Sequence, residues 1–268
     1  LKVSDRKLRW RLLLGLVLAV GLSGPAAALE VWASSPWLTQ MMRFMVGVQG
    51  KVHPVRWWTE DGRVVRVSSP RGPVMALDPK EAAEAGVSRS PSLRVLFDRP
   101  LPLGELKGES AYFDPAALPF IGQRILQVLA TQDPANYRYY QRRLAELQAR
   151  IDSTMDVGRQ LLKGVGVLDL TGCAGPWIRS AAATSARPPG DLWRAWEGGG
   201  RMDLLKGALD AAGRKGWVVV MDPWTPSPVA SVVSASGVRV VRLSPPKGDD
   251  MFLYYYDLYL QVWNFARR

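Results

Sequence analysis

The chain has 268 residues, 47% of them hydrophobic and 22% charged, with 35 lysines and arginines against 24 aspartates and glutamates for a formal charge of +11. This balance excludes a disordered chain and predicts either one large domain or two small ones. A single cysteine, Cys173, and a single histidine, His53, exclude a disulfide framework and any site built on two imidazoles.

Residues 1–28 read as an address. Lys2, Arg6, Lys7, Arg9 and Arg11 form a basic cluster, an apolar run of 11 residues spans 12–22, Ser23-Gly24-Pro25 breaks it, and Ala26-Ala27-Ala28 supplies small residues for cleavage. That order predicts a cleavable secretory signal peptide. A membrane span needs about 20 apolar residues, more than this run has. No cysteine follows it, so no lipid anchor is expected, and the location predicted is periplasmic or extracellular. Residues 1–28 hold five basic residues and one acid, which leaves +7 on the remainder. Its arginines (Arg63, Arg66, Arg71, Arg142, Arg143, Arg239, Arg242) are scattered rather than striped, the pattern of a solvated surface. Nucleic acid is set aside as a partner.

From residue 29 the chain alternates strand and helix signals. Residues 29–34 predict a strand, and Ser35-Pro36 opens a helix toward Val46. Residues 51–58 and 63–67 predict two strands parted by the turn Glu60-Asp61-Gly62. Short apolar runs follow at 73–77 and 93–97, with a helix from Asp78-Pro79 to Ala85 between them. Asp114-Pro115 opens a helix to about Thr131. Asp133-Pro134 then begins the clearest element, in which Tyr137, Tyr140, Leu144, Leu147, Ile151 and Met155 recur on one helical face. From Pro134 to Leu162 this helix would reach ~43 Å at 1.5 Å per residue, long enough to join two lobes.

The rhythm then restarts. Residues 165–170 predict a strand, 173–183 a helix, 186–200 a loop with a short helical piece around Trp193, and 201–214 a helix. A buried strand at 217–221, a helix at 226–235, a strand at 238–243 and a last amphipathic helix from Met251 to Ala266 complete the chain. The expected fold class is α/β: two lobes, each a mostly parallel sheet with flanking helices, joined by one long helix. The expected divisions are 1–28 signal peptide, 29–131 first lobe, 132–163 connecting helix and 164–268 second lobe.

This order resembles the metal-type (zinc/manganese) periplasmic solute-binding proteins of bacterial ABC transporters. Tyr112-Phe113-Asp114-Pro115 is similar to that family's His-x-Trp-x-Asp-Pro segment, and Asp133-Pro134-Ala135-Asn136 to its Asp-Pro-x-Asn helix start. Residues 217–223, ending in Met221-Asp222-Pro223, resemble its strand that ends in an acidic ligand and proline, and residues 237–243 its next strand. The family's histidine ligands are missing. Their places fall at Ser110, near Glu60-Asp61 and around Asp169–Thr171, and Asp222 alone keeps a ligand type. The resemblance thus implies a divergent member.

Asp222, Asp169, Ser110, Asp61 and Glu60 are the candidate metal set, a hard-oxygen group suited to Mn²⁺ more than to Zn²⁺. The alternative for each acid is helix capping or loop structure. Trp57, Trp58, Thr171, Trp177 and Trp224 are the candidate cleft residues, with aromatic packing as their alternative. His53, alone on a strand, reads as an ordinary histidine, and Cys173 as a small buried hydrophobe. No catalytic motif appears, so an enzyme is not expected. The expected function is the extracytoplasmic solute-binding component of an ABC transporter, a monomer that captures a metal ion or metal complex between its lobes and presents it to a membrane permease. Manganese or zinc would be the transported ligand. The alternative is a divergent binding protein that has lost the metal site and takes an organic solute or a protein partner.

Overall fold

The computed structural model describes residues 29–99 and 108–268. The expected signal peptide lies outside the described residues. In the first half, β1 (Leu29–Ala33), β2 (Gly50–Pro54), β5 (Val74–Ala76) and β6 (Leu93–Val95) form a wholly parallel sheet in the order β2-β1-β5-β6. β3 (Arg56–Trp58) and β4 (Val64–Arg66) form a separate antiparallel hairpin. The strand expected over 51–58 is therefore two strands in two sheets. Pro54, which has no N–H to donate, ends the edge strand β2, and Val55 turns the chain, donating to the Ala33 carbonyl at 2.9 Å. Helix α1 (Pro36–Val46) starts on Ser35, whose hydroxyl accepts the Leu38 N–H, and α2 (Pro79–Glu84) starts on Asp78, which accepts the Glu81 N–H at 2.7 Å.

A 3₁₀ turn at Gly108–Phe113 leads into α3 (Leu118–Gln132). The long helix is α4 (Tyr137–Leu161), 25 residues and ~37 Å long. It begins later than expected because Pro134–Asn136 forms a 3₁₀ turn, in which Asp133 accepts from Asn136 Nδ2 at 2.8 Å and from the Tyr140 hydroxyl at 2.6 Å. Tyr140, Leu144, Leu147 and Ile151 are buried as the periodicity predicts, while Tyr137 is exposed.

The second half contains β7 (Gly166–Asp169), α5 (Gly175–Arg179), β8 (Thr184–Ala186), α6 (Gly190–Glu197), α7 (Met202–Arg214), β9 (Val218–Met221), α8 (Ser227–Ala235), β10 (Val240–Arg242) and α9 (Met251–Ala266). Its sheet is also parallel, in the order β10-β9-β7-β8. The helix expected over 173–183 shrinks to α5, and the polar segment after it forms the edge strand β8. With the hairpin set aside, both halves have the same winding: the second strand lies outside the first, and the third and fourth lie on the other side. Each sheet then reverses direction at one place, between β1 and β5 and between β7 and β9.

One core cluster spans both halves, beside a smaller cluster within each. Trp37 of α1, 1% exposed, packs edge-on against Trp58 and Phe113 at 4.6 and 4.7 Å between ring centroids. Tyr255 of α9 stacks on Trp177 of α5 at 4.3 Å, and its hydroxyl donates to the Tyr112 carbonyl. These residues belong to a single apolar cluster that runs from β1 through α3 and α4 to β9 and α9. α9 lies against α4 at Gly158, where a Cβ would stand 2.3 Å from the Tyr259 ring. The hairpin turn, with Gly62 at φ 81°, rests on Pro223 and Pro245 of the second half. No helix among the described residues is long and apolar enough to cross a membrane.

Candidate functional site

In open α/β sheets ligands sit beyond the carboxyl ends of the strands, where the winding reverses. Here a buried carboxylate occupies each such place. In the first half Glu81 accepts from the Ser34 hydroxyl after β1, from the Leu77 N–H after β5 at 3.0 Å and from the Tyr112 hydroxyl at 2.9 Å. In the second half Asp222, just after β9, accepts the backbone N–H groups of Gly172, Cys173 and Ala174 after β7 at 2.8, 2.8 and 2.9 Å. It also accepts from the Trp224 N–H and the Thr225 hydroxyl, both at 3.1 Å. Each carboxylate therefore ties together the two loops that would otherwise form its crevice.

Burial lifts the Glu81 carboxyl above the ordinary glutamate range, against the pull of the Ser34, Leu77 and Tyr112 donors. Burial likewise raises Asp222, opposed by the N–H groups of Ala174, Cys173 and Gly172 and assisted by the nearby charge of Asp169. For Glu81 the linkage has a definite sign. The folded state holds the proton more tightly than the unfolded chain, so this group's contribution is complete below the ordinary value of 4.5 and is lost as pH rises through the folded-state value. Urea midpoints measured from about pH 4 to 7 should fall more steeply for the native protein than for Glu81→Gln, which keeps the neutral shape. Equal slopes would show that folding does not raise the Glu81 pKa.

The proposed metal set fares differently from residue to residue. Asp169, fully buried, accepts from the Thr171 N–H and hydroxyl at 3.0 and 2.7 Å, and from Arg179 and, at 3.0 Å, Arg187. A carboxylate offers about four lone-pair sites, and those of Asp222 and Asp169 are engaged. Ser110 is buried against the second half, its hydroxyl 3.4 Å from the Gly172 carbonyl. Glu60 and Asp61 are exposed on the hairpin turn, where Asp61 is bonded by Thr59 and Arg63, contacts that hold its carboxyl below the usual range. Among the described residues no group of three or more His, Cys, Asp or Glu side chains could hold a metal ion. The residues present do not fit a bare-ion cage.

The tryptophans assigned to a cleft pack instead. Trp58 meets Trp37, Trp57 tilts against Trp58 at 5.0 Å beneath Arg43, and Trp224 lies 6.0 Å from Phe113. Trp177 is fully buried and its indole N–H donates to the Tyr255 carbonyl at 3.1 Å. Thr171 is buried on Asp169. His53 stacks on Trp32 at 4.8 Å, as an ordinary histidine would.

The open space lies to one side of this aromatic packing. A groove of about 990 Å³ is lined by the second half, by α4 and by the stretch ahead of α3, and it passes Gly172 and Cys173 just after β7. Arg179, Arg187, Arg194 and Glu197 of the second half line it, together with Ser110 and Asp114 ahead of α3 and Asp152 and Met155 of α4. Arg187 lies over the Trp193 ring at 4.8 Å and also donates to the Thr171 carbonyl at 3.0 Å. Sequence reading passed over these arginines as surface charge. Asp169, the shared partner of Arg179 and Arg187, is 10 and 18 residues distant from them, and no periodic pattern connects them.

No family model matches the chain, and no curated protein matches it by sequence. Solved structures do. ZnuA superposes with a TM-score of 0.64 at 13% identity, covering 90% of this chain and 98% of that one. A periplasmic metal binding protein from Candidatus Liberibacter asiaticus gives 0.64 at 12% identity, covering 88% and 99%. The laminin binding protein of Streptococcus agalactiae, described as an adhesin with metal transporting activity, gives 0.59 at 13%, covering 89% and 98%. The fold is that of the metal-type periplasmic solute-binding proteins.

Proposed function

We propose that the chain is the extracytoplasmic solute-binding component of an ABC transporter, a binding protein rather than an enzyme. It takes a small solute in the groove beside β7 and presents it to a membrane permease. The observation that carries this reading is the pair of like-wound parallel sheets on one long helix, alike over 90% of the chain to ZnuA. Export as a monomer to the periplasm or cell exterior, through the signal peptide expected in residues 1–28, belongs to the same reading.

The donor set supports an organic solute or a metal already in complex. A bare ion would have to displace the N–H groups bonded to Asp222 and the arginines bonded to Asp169. A second reading draws on the neighbours, whose structures are named as zinc-, manganese- and cadmium-bound. In it Asp222, Asp169, Ser110, Asp61 and Glu60 rearrange around Mn²⁺ or Zn²⁺. Calorimetric titration with each ion separates the two. No binding tighter than about 1 μM is expected; a submicromolar site for either ion would establish the bare-ion reading instead.

A further inference from the structure

The charges of the groove are divided by origin. Arg179 on α5, Arg187 after β8 and Arg194 on α6 come from the second half, whereas Asp114, ahead of α3, comes from the first half and Asp152 from the long helix α4. Of the side chains that line the groove from the second half, three are arginines and one, Glu197, is an acid, while Asp169 bonds Arg179 and Arg187. Each guanidinium has five N–H donors, and Asp169 and Thr171 engage only a few of those on Arg179 and Arg187. Arg194 and Asp152 are exposed and take part in no side-chain hydrogen bond or ion pair among the described residues. The Trp193 ring lies beneath the Arg187 guanidinium, and Met155 adds apolar surface.

A cation in this groove would face the arginines, and a simple anion would face the two aspartates. A ligand carrying both charges meets a complementary wall at each end. We infer that the groove takes a zwitterionic solute of the amino-acid or short-peptide class. Its carboxylate lies against Arg179, Arg187 and Arg194, where a planar fork of donors suits it, and its ammonium lies toward Asp152 and Asp114. The volume, about 990 Å³, is at the upper end for small-molecule sites and accommodates a dipeptide. This inference rests on the solute-binding reading and narrows it.

The test is calorimetric titration of the full chain with Gly-Leu, N-acetyl-Gly-Leu, Gly-Leu amide and the doubly blocked peptide, with citrate and Mn²⁺–citrate as further probes. The free dipeptide should bind about tenfold or more tightly than either singly blocked form. Asp152→Asn should weaken the free peptide about tenfold and leave the N-acetyl form unchanged, and Arg194→Ala should do the mirror image with the amide. Unchanged thermal midpoints would confirm that both variants are folded. Four peptide forms binding alike, or none binding, would overturn the inference. If citrate or its manganese complex binds while the peptides do not, the inference fails and the solute-binding reading stands. If no probe binds, both fail.

Discussion

Replacing Asp222 with alanine is expected to destabilise the protein by about 3 kcal/mol or more. The carboxylate is the shared acceptor for three consecutive backbone N–H groups and for Trp224 and Thr225. An unsatisfied buried donor costs about 1–3 kcal/mol. Water entering from the groove can reach Gly172 and Cys173, which line it, whereas Ala174 is fully buried. Asp222→Asn should be nearly as damaging, because its amide turns donors toward donors. Urea unfolding of both variants measures the effect. A loss below about 1 kcal/mol would mean that the β7–α5 loop holds its shape without the clasp and that Asp222 is available for other work.

Trp177→Ala should cost about 3–5 kcal/mol, the usual range for removing a buried tryptophan. Its ring is stacked on Tyr255 and, at 5.6 Å, on Tyr259, and its N–H holds the Tyr255 carbonyl. A cleft-lining role would give the opposite outcome: stability kept and ligand affinity lost. Thermal unfolding together with the peptide titration distinguishes the two.

The element order was legible because most elements carry their own local signals. α1 and α2 announce themselves by Ser35-Pro36 and Asp78-Pro79, and α4 by its apolar stripe. β8 was not legible, since Thr184 and Ser185 are exposed on an edge strand and no apolar alternation marks it. The repeated winding was hidden for a similar reason: strand order is set by long-range pairing, and the two halves have no sequence repeat to show it. For the site, sequence reading singled out Asp222 and Asp169 but left ligand and structural roles open. What decides between them is non-local. The N–H groups on Asp222 come from 48 to 50 residues away. Ser110, named from the resemblance alone, lies with its hydroxyl 3.4 Å from the Gly172 carbonyl. Glu81 escaped notice altogether, reading as an ordinary first-turn acid behind Asp78.

The aromatic seam between the halves limits how far they can part. A clamshell needs a dry surface on each jaw that tolerates repeated wetting, and Trp37, Phe113, Trp177 and Tyr255 form no such surface; parting them would expose the middle of the molecule. Calorimetry should therefore record one melting endotherm in which neither half gives way ahead of the other.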